Sequence, residues 1–321
     1  MINVELSGYT EQQSLRKRMK QLFRTVKYKV LYRIVVLIIE LSNEIPRRIW
    51  LSFCTGLGIL VYYTASGLRR QIKKNLTAAF KFEKSPGEID ILTKLVVIMM
   101  AKNAGLVLRE FLITRETFNQ QTIVRGAEHA ERAFRTGRGV IFLTAHIGPF
   151  ESLAHELSIS GYNPYIIGTP LKDAMLNELV NANRAKFGAV VIERGKETFR
   201  VMKNIMSGGT MAILIDQDTS VKSVFVDFFG MPCSTPVGAA LIASKTGAAV
   251  VPVFSHLNSK NQHEIEYYPE VSLKTTGDDR QDILINTQTL TSIIETEIRK
   301  FPDQWVWMHR RWKTQNTANI T

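Results

Sequence analysis

Cysteine is scarce in this sequence, and its spacing argues against two kinds of scaffold. The 321 residues include two cysteines, Cys54 and Cys233, which form no metal-ligand or redox motif. A disulfide framework and a structural zinc site therefore have no support, and we expect free thiols in a reducing compartment. The sequence also lacks internal repeats and low-complexity linkers, which argues against a repeat architecture.

Signals for secretion and for nucleic-acid recognition are missing as well. The first long apolar run begins near residue 30, and no small-residue cleavage site follows it. We find no zinc-finger spacing, no RNP-like aromatic motif and no recognition helix. Although the chain is basic, we therefore expect no nucleic acid among its partners.

The chain has an excess of positive charge, and nearly all of this excess lies in its N-terminal quarter. Residues 1–84 carry 16 Lys and Arg against 5 Asp and Glu, whereas residues 85–321 carry 25 against 24. This asymmetry predicts an N-terminal segment that meets an anionic surface. We therefore divide the chain into membrane-anchoring helices over residues 1–84 and an α/β domain over residues 85–321.

The apolar runs inside this basic segment indicate that the surface is a membrane. Residues 49–68 contain no charged side chain and are long enough to span a bilayer. Arginines stand on both sides of the run: Arg47, Arg48, Arg69 and Arg70. Because both flanks are basic, a hairpin or helices lying in the cytoplasmic interface fit better than one span. Buried helices of a globular core are the alternative.

Short apolar segments alternate with helical segments from residue 122 onward. Strands are predicted within residues 122–126, 140–145, 162–170, 189–194, 210–216, 223–230 and 248–256. In the helix before the last of these, we assign Thr235 as the N-cap, Pro236 as the first residue and Gly247 near the C-terminal end. Strands alternating with helices predict a mostly parallel central sheet flanked by helices.

His146 and Glu151 form the first candidate site. The strand over residues 140–145 delivers His146 to its C-terminal end, where ligands bind in open α/β sheets. Pro149 starts a helix whose first turn contains Glu151, so we expect this carboxylate to hold Nδ1–H of His146 and to leave Nε2 free as a base. The alternatives are structural, because Glu is favoured in a first helical turn and His can satisfy a buried carbonyl.

Three further features are candidates for catalysis or substrate binding. Asp216 ends a strand as His146 does, and Arg184 lies near the C-terminus of a helix. Residues 305–313, WVWMHRRWK, combine three tryptophans with basic side chains. Each has a structural alternative: a turn cap for Asp216, a helix C-terminal cation for Arg184, and basic side chains reaching to solvent over an aromatic face for the last segment.

A metal hydrolase that uses His146, Glu151 and His155 is a rival interpretation. Their spacing is not H-E-x-x-H, and no third cluster completes a ligand set. We therefore expect no metal. A second rival is a non-catalytic protein that binds anionic membrane surfaces through its basic N-terminus.

The pattern as a whole resembles the bacterial lipid A biosynthesis acyltransferases of the lysophospholipid acyltransferase superfamily. "AHIGPFE" is similar to the superfamily motif of His, four residues and an acid, and the long segment from "LIDQDTS" to "VVPVF" and "QWVWMHRRWK" resemble this branch more specifically. Where the family commonly has Gly-Asn-Trp before the acid, this chain has Gly148, Pro149 and Phe150. The resemblance covers residues 30 to 313.

The resemblance implies transfer of a fatty acyl chain from an acyl carrier protein or coenzyme A thioester to a hydroxyl of a membrane glycolipid, without a bound cofactor. It implies that His146 and Glu151 are catalytic and that Arg184 and Asp216 bind substrate. No G-x-S-x-G motif is present, so we expect direct transfer. We expect a bacterial inner-membrane enzyme facing the cytoplasm, with a lipid A precursor, another membrane glycolipid or a lysophospholipid as acceptor.

Overall fold

Four helices occupy the first third of the chain. The computed structural model describes residues 2–193 and 197–315. The helices are α1 (Ile2–Glu44), α2 (Arg47–Thr64), α3 (Ser66–Ala79) and α4 (Pro86–Glu110). α4 begins with a capping box, because the Ser85 hydroxyl accepts from the Glu88 N–H while the Glu88 carboxylate accepts from the Ser85 N–H.

The uncharged run over residues 49–68 does not form one straight helix. α2 and α3 meet at Ala65 with a bend of 91°. By length and composition, α4 is the helix among the described residues that could cross a membrane alone, and half of its most apolar window is buried inside the protein. α2 and α3 pass the same test only as a bent pair.

The rest of the chain builds a seven-stranded sheet and a separate two-stranded hairpin. The strands are β1 (Thr122–Arg125), β2 (Val140–Thr144), β3 (Tyr165–Gly168), β4 (Val190–Glu193), β5 (Thr210–Leu214), β6 (Ser223–Phe228), β7 (Met231–Pro236), β8 (Ala249–Leu257) and β9 (His263–Tyr267). The order in the large sheet is β1-β9-β8-β2-β5-β3-β4. All neighbouring pairs in it are parallel except β8 with β9.

Within the described residues, seven more helices connect and cover these strands. They are α5 (Arg115–Gln121), α6 (Ala127–Phe134), α7 (Leu153–Ile159), α8 (Ala174–Ala185), α9 (Thr198–Met206), α10 (Gly238–Thr246) and α11 (Asp279–Lys300). A short 3₁₀ helix, Phe150–Ser152, precedes α7. β2 and β8 are buried along their whole length, as expected for central strands with both faces covered. The predicted α/β class with a mostly parallel sheet is confirmed.

The segment around residue 235 is not the start of a helix. Thr235 and Pro236 belong to β7, which pairs with β6 across a two-residue turn at Phe229 and Gly230. Both turn residues have positive φ, 54° and 68°, which matches the twist of a tight hairpin. α10 therefore begins at Gly238, two residues later than the predicted first residue Pro236, although Gly247 does end it with φ of 70°.

The N-terminal helices share a core with the sheet. Ile72, Leu76 and Phe80 belong to the same buried cluster as the β2 residues Ile141 and Leu143. The division at residue 84 therefore passes through continuous packing, and its role as a functional boundary stays a prediction. The physical reason is that α3 has one apolar face, which packs mainly on α4, while its Asn75 donates to the Trp307 carbonyl of the C-terminal segment.

Candidate active site

The turn after β2 fixes the position of His146. Ile147 forms a bridge with Trp305, and the Gly148 N–H donates to the Gln304 carbonyl at 3.0 Å. Gly148 has φ of 57°, and a Cβ atom there would lie 2.3 Å from the Ser255 carbonyl oxygen. Only glycine fits this close approach without a shift of the backbone. The chain is thus held rigidly directly after the histidine.

Asp216 is the carboxylate that holds His146. β2 and β5 are parallel neighbours in which Thr144 pairs with Leu214, so His146 and Asp216 both follow two residues beyond a matched pair. His146 Nδ1 lies 2.8 Å from Asp216 Oδ1, and the His146 backbone N–H donates to Oδ2 at 2.9 Å. Trp305 Nε1–H donates to the same Oδ2 at 2.7 Å.

This arrangement assigns the proton positions of the histidine. Burial alone would raise the pKa of Asp216, but the His146 ring, the Trp305 N–H and the His146 backbone N–H stabilise the carboxylate more strongly and lower that pKa to about 2. An ionised carboxylate only accepts hydrogen bonds, so Nδ1 carries a proton, and in the neutral imidazole Nε2 is left with its lone pair. The His146 side chain remains 23% exposed, so solvent or a ligand can reach it.

The prediction that Glu151 holds Nδ1 of His146 is wrong. Glu151 lies in the 3₁₀ helix and accepts from Arg184 of α8, with Nε to Oε2 at 2.7 Å and Nη2 to Oε1 at 2.6 Å. Phe150 packs edge-on against the His146 ring at 4.7 Å between centroids. The local turn therefore brings an aromatic ring to the imidazole, while the adjacent strand supplies the carboxylate.

Arg184 is bound to Glu151 rather than standing alone at a helix end. The pair is bidentate and half-buried, and the Glu151 carboxylate raises the pKa of Arg184 above its ordinary value. A Cβ atom at Gly168, the last residue of β3, would lie 3.0 Å from Arg184 Nη1. A glycine at the end of this strand therefore leaves room for the guanidinium at the carboxyl edge of the sheet.

His155 does not join His146. Its ring is fully buried, its Nε2 lies 2.8 Å from the Asn183 carbonyl, and its Nδ1 lies 3.5 Å from a Glu110 carboxylate oxygen. Within residues 2–193 and 197–315, no three His, Cys, Asp or Glu side chains are grouped as metal ligands. The ligand set of the metal hydrolase is not assembled in this part of the chain.

The C-terminal segment contributes to the site more than its sequence indicated. Trp305 and Arg311 are fully buried, so Arg311 does not reach to solvent; its guanidinium donates to the Ser234 carbonyl and the Thr235 hydroxyl. His309 Nε2 accepts from the Asp218 N–H at 3.0 Å. The sequence signal was present in three tryptophans among nine residues, but it did not reveal that one of them binds Asp216.

Comparison with known proteins shows which family the chain is similar to. The family model described as bacterial lipid A biosynthesis acyltransferase matches residues 16–314. The chain is 23% identical over 274 residues to a lipid A biosynthesis acyltransferase of Haemophilus influenzae, with 84% of each chain covered.

Two further relatives differ from each other in the acceptor that their names state. The chain is 24% identical over 257 residues to a phosphatidylinositol mannoside acyltransferase of Mycolicibacterium smegmatis, covering 78% of this chain and 82% of the relative. It is 25% identical over 203 residues to a lipid A biosynthesis lauroyltransferase of Escherichia coli, covering 60% and 62%. All three relatives are named as acyltransferases.

Proposed function

Because the chain belongs to the bacterial lipid A biosynthesis acyltransferase family and is an acyltransferase, we propose that it moves a fatty acyl chain from a thioester donor to a hydroxyl of a lipid A precursor or related membrane glycolipid. The observation that carries the proposal is the hydrogen-bonded set of His146, Asp216 and Trp305 at the carboxyl edge of the sheet. Such a set activates a hydroxyl, which is the chemistry that acyl transfer to an alcohol needs.

His146 is the general base. Its Nε2 takes the proton of the acceptor hydroxyl while the oxygen attacks the thioester carbonyl carbon. The tetrahedral intermediate collapses, the C–S bond breaks, and the imidazolium returns its proton to the leaving thiolate. Asp216 is a positioning residue that keeps the productive tautomer and stabilises the imidazolium charge. The two cysteines are buried, which favours direct transfer over an acyl-cysteine intermediate.

Arg184 and Glu151 serve the acceptor rather than the proton transfer. Glu151 engages Nε and Nη2 of Arg184, so the guanidinium is oriented and Nη1 remains to contact substrate. An oriented guanidinium suits a phosphate or a sugar hydroxyl of the acceptor. Glu151 is therefore a positioning residue for Arg184. Its position five residues after His146 brings Arg184 to the same edge of the sheet as the histidine.

The donor is an acyl carrier protein or coenzyme A thioester, and the enzyme works at the cytoplasmic face of the bacterial inner membrane. Support for a membrane surface comes from α1 and α2, which expose many large apolar side chains, while the buried side of α2 packs on α4. A different membrane glycolipid is the second candidate acceptor, favoured by the similarity to the phosphatidylinositol mannoside acyltransferase.

Mass spectrometry of membrane glycolipids tests the proposal. Cells that lack the protein should accumulate an acceptor that is one acyl chain lighter, and the parent sequence should restore the acylated form. His146→Ala at matched protein level is the control and should not restore it. Unchanged glycolipids in all three strains, with a phenotype restored equally by His146→Ala, would favour the membrane-surface binding protein instead.

A further inference from the structure

A basic cavity lies apart from the His146 site. It has a volume of about 420 Å³ and is formed by the start of α2, by α4 and by the turn between β8 and β9. Four cationic side chains line it: Arg47, Arg48, Lys102 and Lys260. No carboxylate lies among its described lining residues. Like charges that share one concave surface repel each other, so the cavity favours an anion.

The hydrogen bonds inside the cavity leave donors unused. Lys102 Nζ donates to a neutral partner, the Asn261 side-chain oxygen, at 2.8 Å. An ammonium group has three donors, so Lys102 keeps two of them for a bound anion. The exposed side chains of Arg48 and Lys260 can also turn toward an anion in the cavity. Guanidinium and ammonium groups together are the usual side chains that bind phosphate.

The cavity is held in place by the corner between α1 and α2. Arg109 of α4 donates to the Ile45 carbonyl at 2.8 Å and to the Ser42 carbonyl, which fixes the entry into α2. Trp50 Nε1–H donates to the Gly105 carbonyl of α4 at 2.9 Å. The arginines at the start of α2 are therefore presented from a fixed backbone.

Exposed apolar side chains near the two arginines indicate the kind of anion. Leu41 of α1 and Ile49 and Phe53 of α2 are 49% to 61% exposed and lie within six residues of Arg47. The two α2 side chains lie on the opposite side of the helix from the cavity wall, so only the arginine end of the cavity adjoins them. Apolar side chains that contact acyl chains at this corner place the arginines at the depth of lipid headgroups.

From these observations we infer that the cavity binds the phosphate group of an anionic membrane phospholipid. The inference rests on the proposed membrane association, but it shares no residue with the proposed catalytic set. A recessed cavity of this size fits one headgroup, whereas an acidic carrier protein presents a convex surface. Occupation of the cavity would hold the corner between α1 and α2 on the bilayer.

Binding experiments with the full-length protein test the inference without turnover. The pocket variant is Arg48→Gln/Lys260→Gln, and the charge-matched control is Arg132→Gln/Lys203→Gln, which alters exposed positions of α6 and α9. Co-sedimentation uses vesicles with equal parts of phosphatidylcholine and phosphatidylglycerol. We expect about a five-fold loss of affinity per cation removed, hence about 25-fold for the pocket variant, and little loss for the control.

A soluble probe separates a site from diffuse attraction. Dihexanoyl phosphatidylglycerol should bind the parent saturably and the pocket variant much more weakly, with dihexanoyl phosphatidylcholine and inorganic phosphate binding neither protein well. Equal losses in the pocket and control variants would overturn the inference, and so would inorganic phosphate binding as tightly as the lipid. A pocket variant that still binds vesicles but no longer binds acyl carrier protein would assign the cavity to the acyl donor. That result would also overturn the inference.

The same variants keep this inference separate from the proposed function. The pocket variant should still transfer acyl chains to a detergent-dispersed acceptor, because His146 and Asp216 are untouched. Loss of lipid binding together with retained transfer in detergent supports the cavity as a lipid site. If the parent transfers no acyl chain but binds the lipid through these cations, the proposed function fails and the lipid site stands.

Discussion

Replacing Asp216 by asparagine tests the revised assignment of the carboxylate. Asp216 Oδ2 accepts from two donors, the His146 backbone N–H and Trp305 Nε1–H, whereas Oδ1 faces only His146 Nδ1. In Asp216→Asn, the single amide oxygen stays with the two donors, because an NH₂ group there would oppose both. The NH₂ group then faces Nδ1, so the imidazole proton moves to Nε2 and the base is lost.

The size of the effect follows from the role of the base. General-base catalysis contributes about a hundred- to ten-thousand-fold in rate, so turnover of Asp216→Asn should fall on that scale. All three hydrogen bonds keep a donor and an acceptor, so the protein should still fold, with a lower melting temperature at neutral pH because the stabilising carboxylate charge is lost. The assay is release of free thiol from the thioester donor in the presence of the glycolipid acceptor.

Glu151→Gln is the comparison variant. It weakens the contact with Arg184 and should raise KM for the acceptor more than it lowers kcat. The double variant His146→Ala/Asp216→Asn should be little slower than His146→Ala alone, because the two residues act as one unit. Parental turnover in a correctly folded Asp216→Asn protein would refute the reasoning, as would multiplication of the two single losses in the double variant.

Four further outcomes are expected. The pKa of Asp216 is about 2 in the fold and about 3.9 in an unfolded chain, so the ionised carboxylate contributes on the order of 2 to 3 kcal/mol of stability above about pH 4. This stability is lost as the pH falls toward 2, and comparison of the acid unfolding of the parent with that of Asp216→Asn will show the loss. Gly148→Ala should destabilise the fold by several kcal/mol in denaturant titration, since its Cβ would lie 2.3 Å from the Ser255 carbonyl oxygen; an unchanged midpoint would contradict this. Arg184→Lys keeps the charge but loses the bidentate contact, so kcat/KM for the acceptor should fall with little change in melting temperature, and a collapse of stability would return the residue to a structural role. Deletion of residues 1–68 should release the protein from membranes or cause aggregation, and a soluble deletion variant fully active on bilayers would defeat this.

The sequence predicted the elements around the site better than their pairing. Buried apolar runs located β2 and β5, and both His146 and Asp216 were placed at strand ends. Which strand lies beside which depends on nonlocal packing, so the meeting of these two side chains could not be read from the chain. Glu151 was predicted as the partner of His146 because it is close in sequence. The turn through Gly148 and Pro149 instead places the Glu151 carboxylate against the Arg184 guanidinium.

Tight turns and distant contacts account for the remaining differences. Thr-Pro before an apolar segment is a normal helix start, but pairing with β6 takes Thr235 and Pro236 into a strand, where tertiary contacts outweigh local preference. The contact between Trp305 and Asp216 joins residues 89 positions apart. Only the concentration of tryptophan near the C-terminus pointed toward it, without naming the partner.

The most direct test of the account is product analysis with purified protein. The parent and His146→Ala are each mixed with an acyl carrier protein thioester and a lipid A precursor, and the glycolipid is weighed by mass spectrometry. The account predicts an acceptor heavier by one acyl chain with an equal amount of free thiol, formed about a hundred- to ten-thousand-fold more slowly by His146→Ala. Equal product from folded parent and variant, or no acylated glycolipid from the parent with any thioester donor, would contradict it.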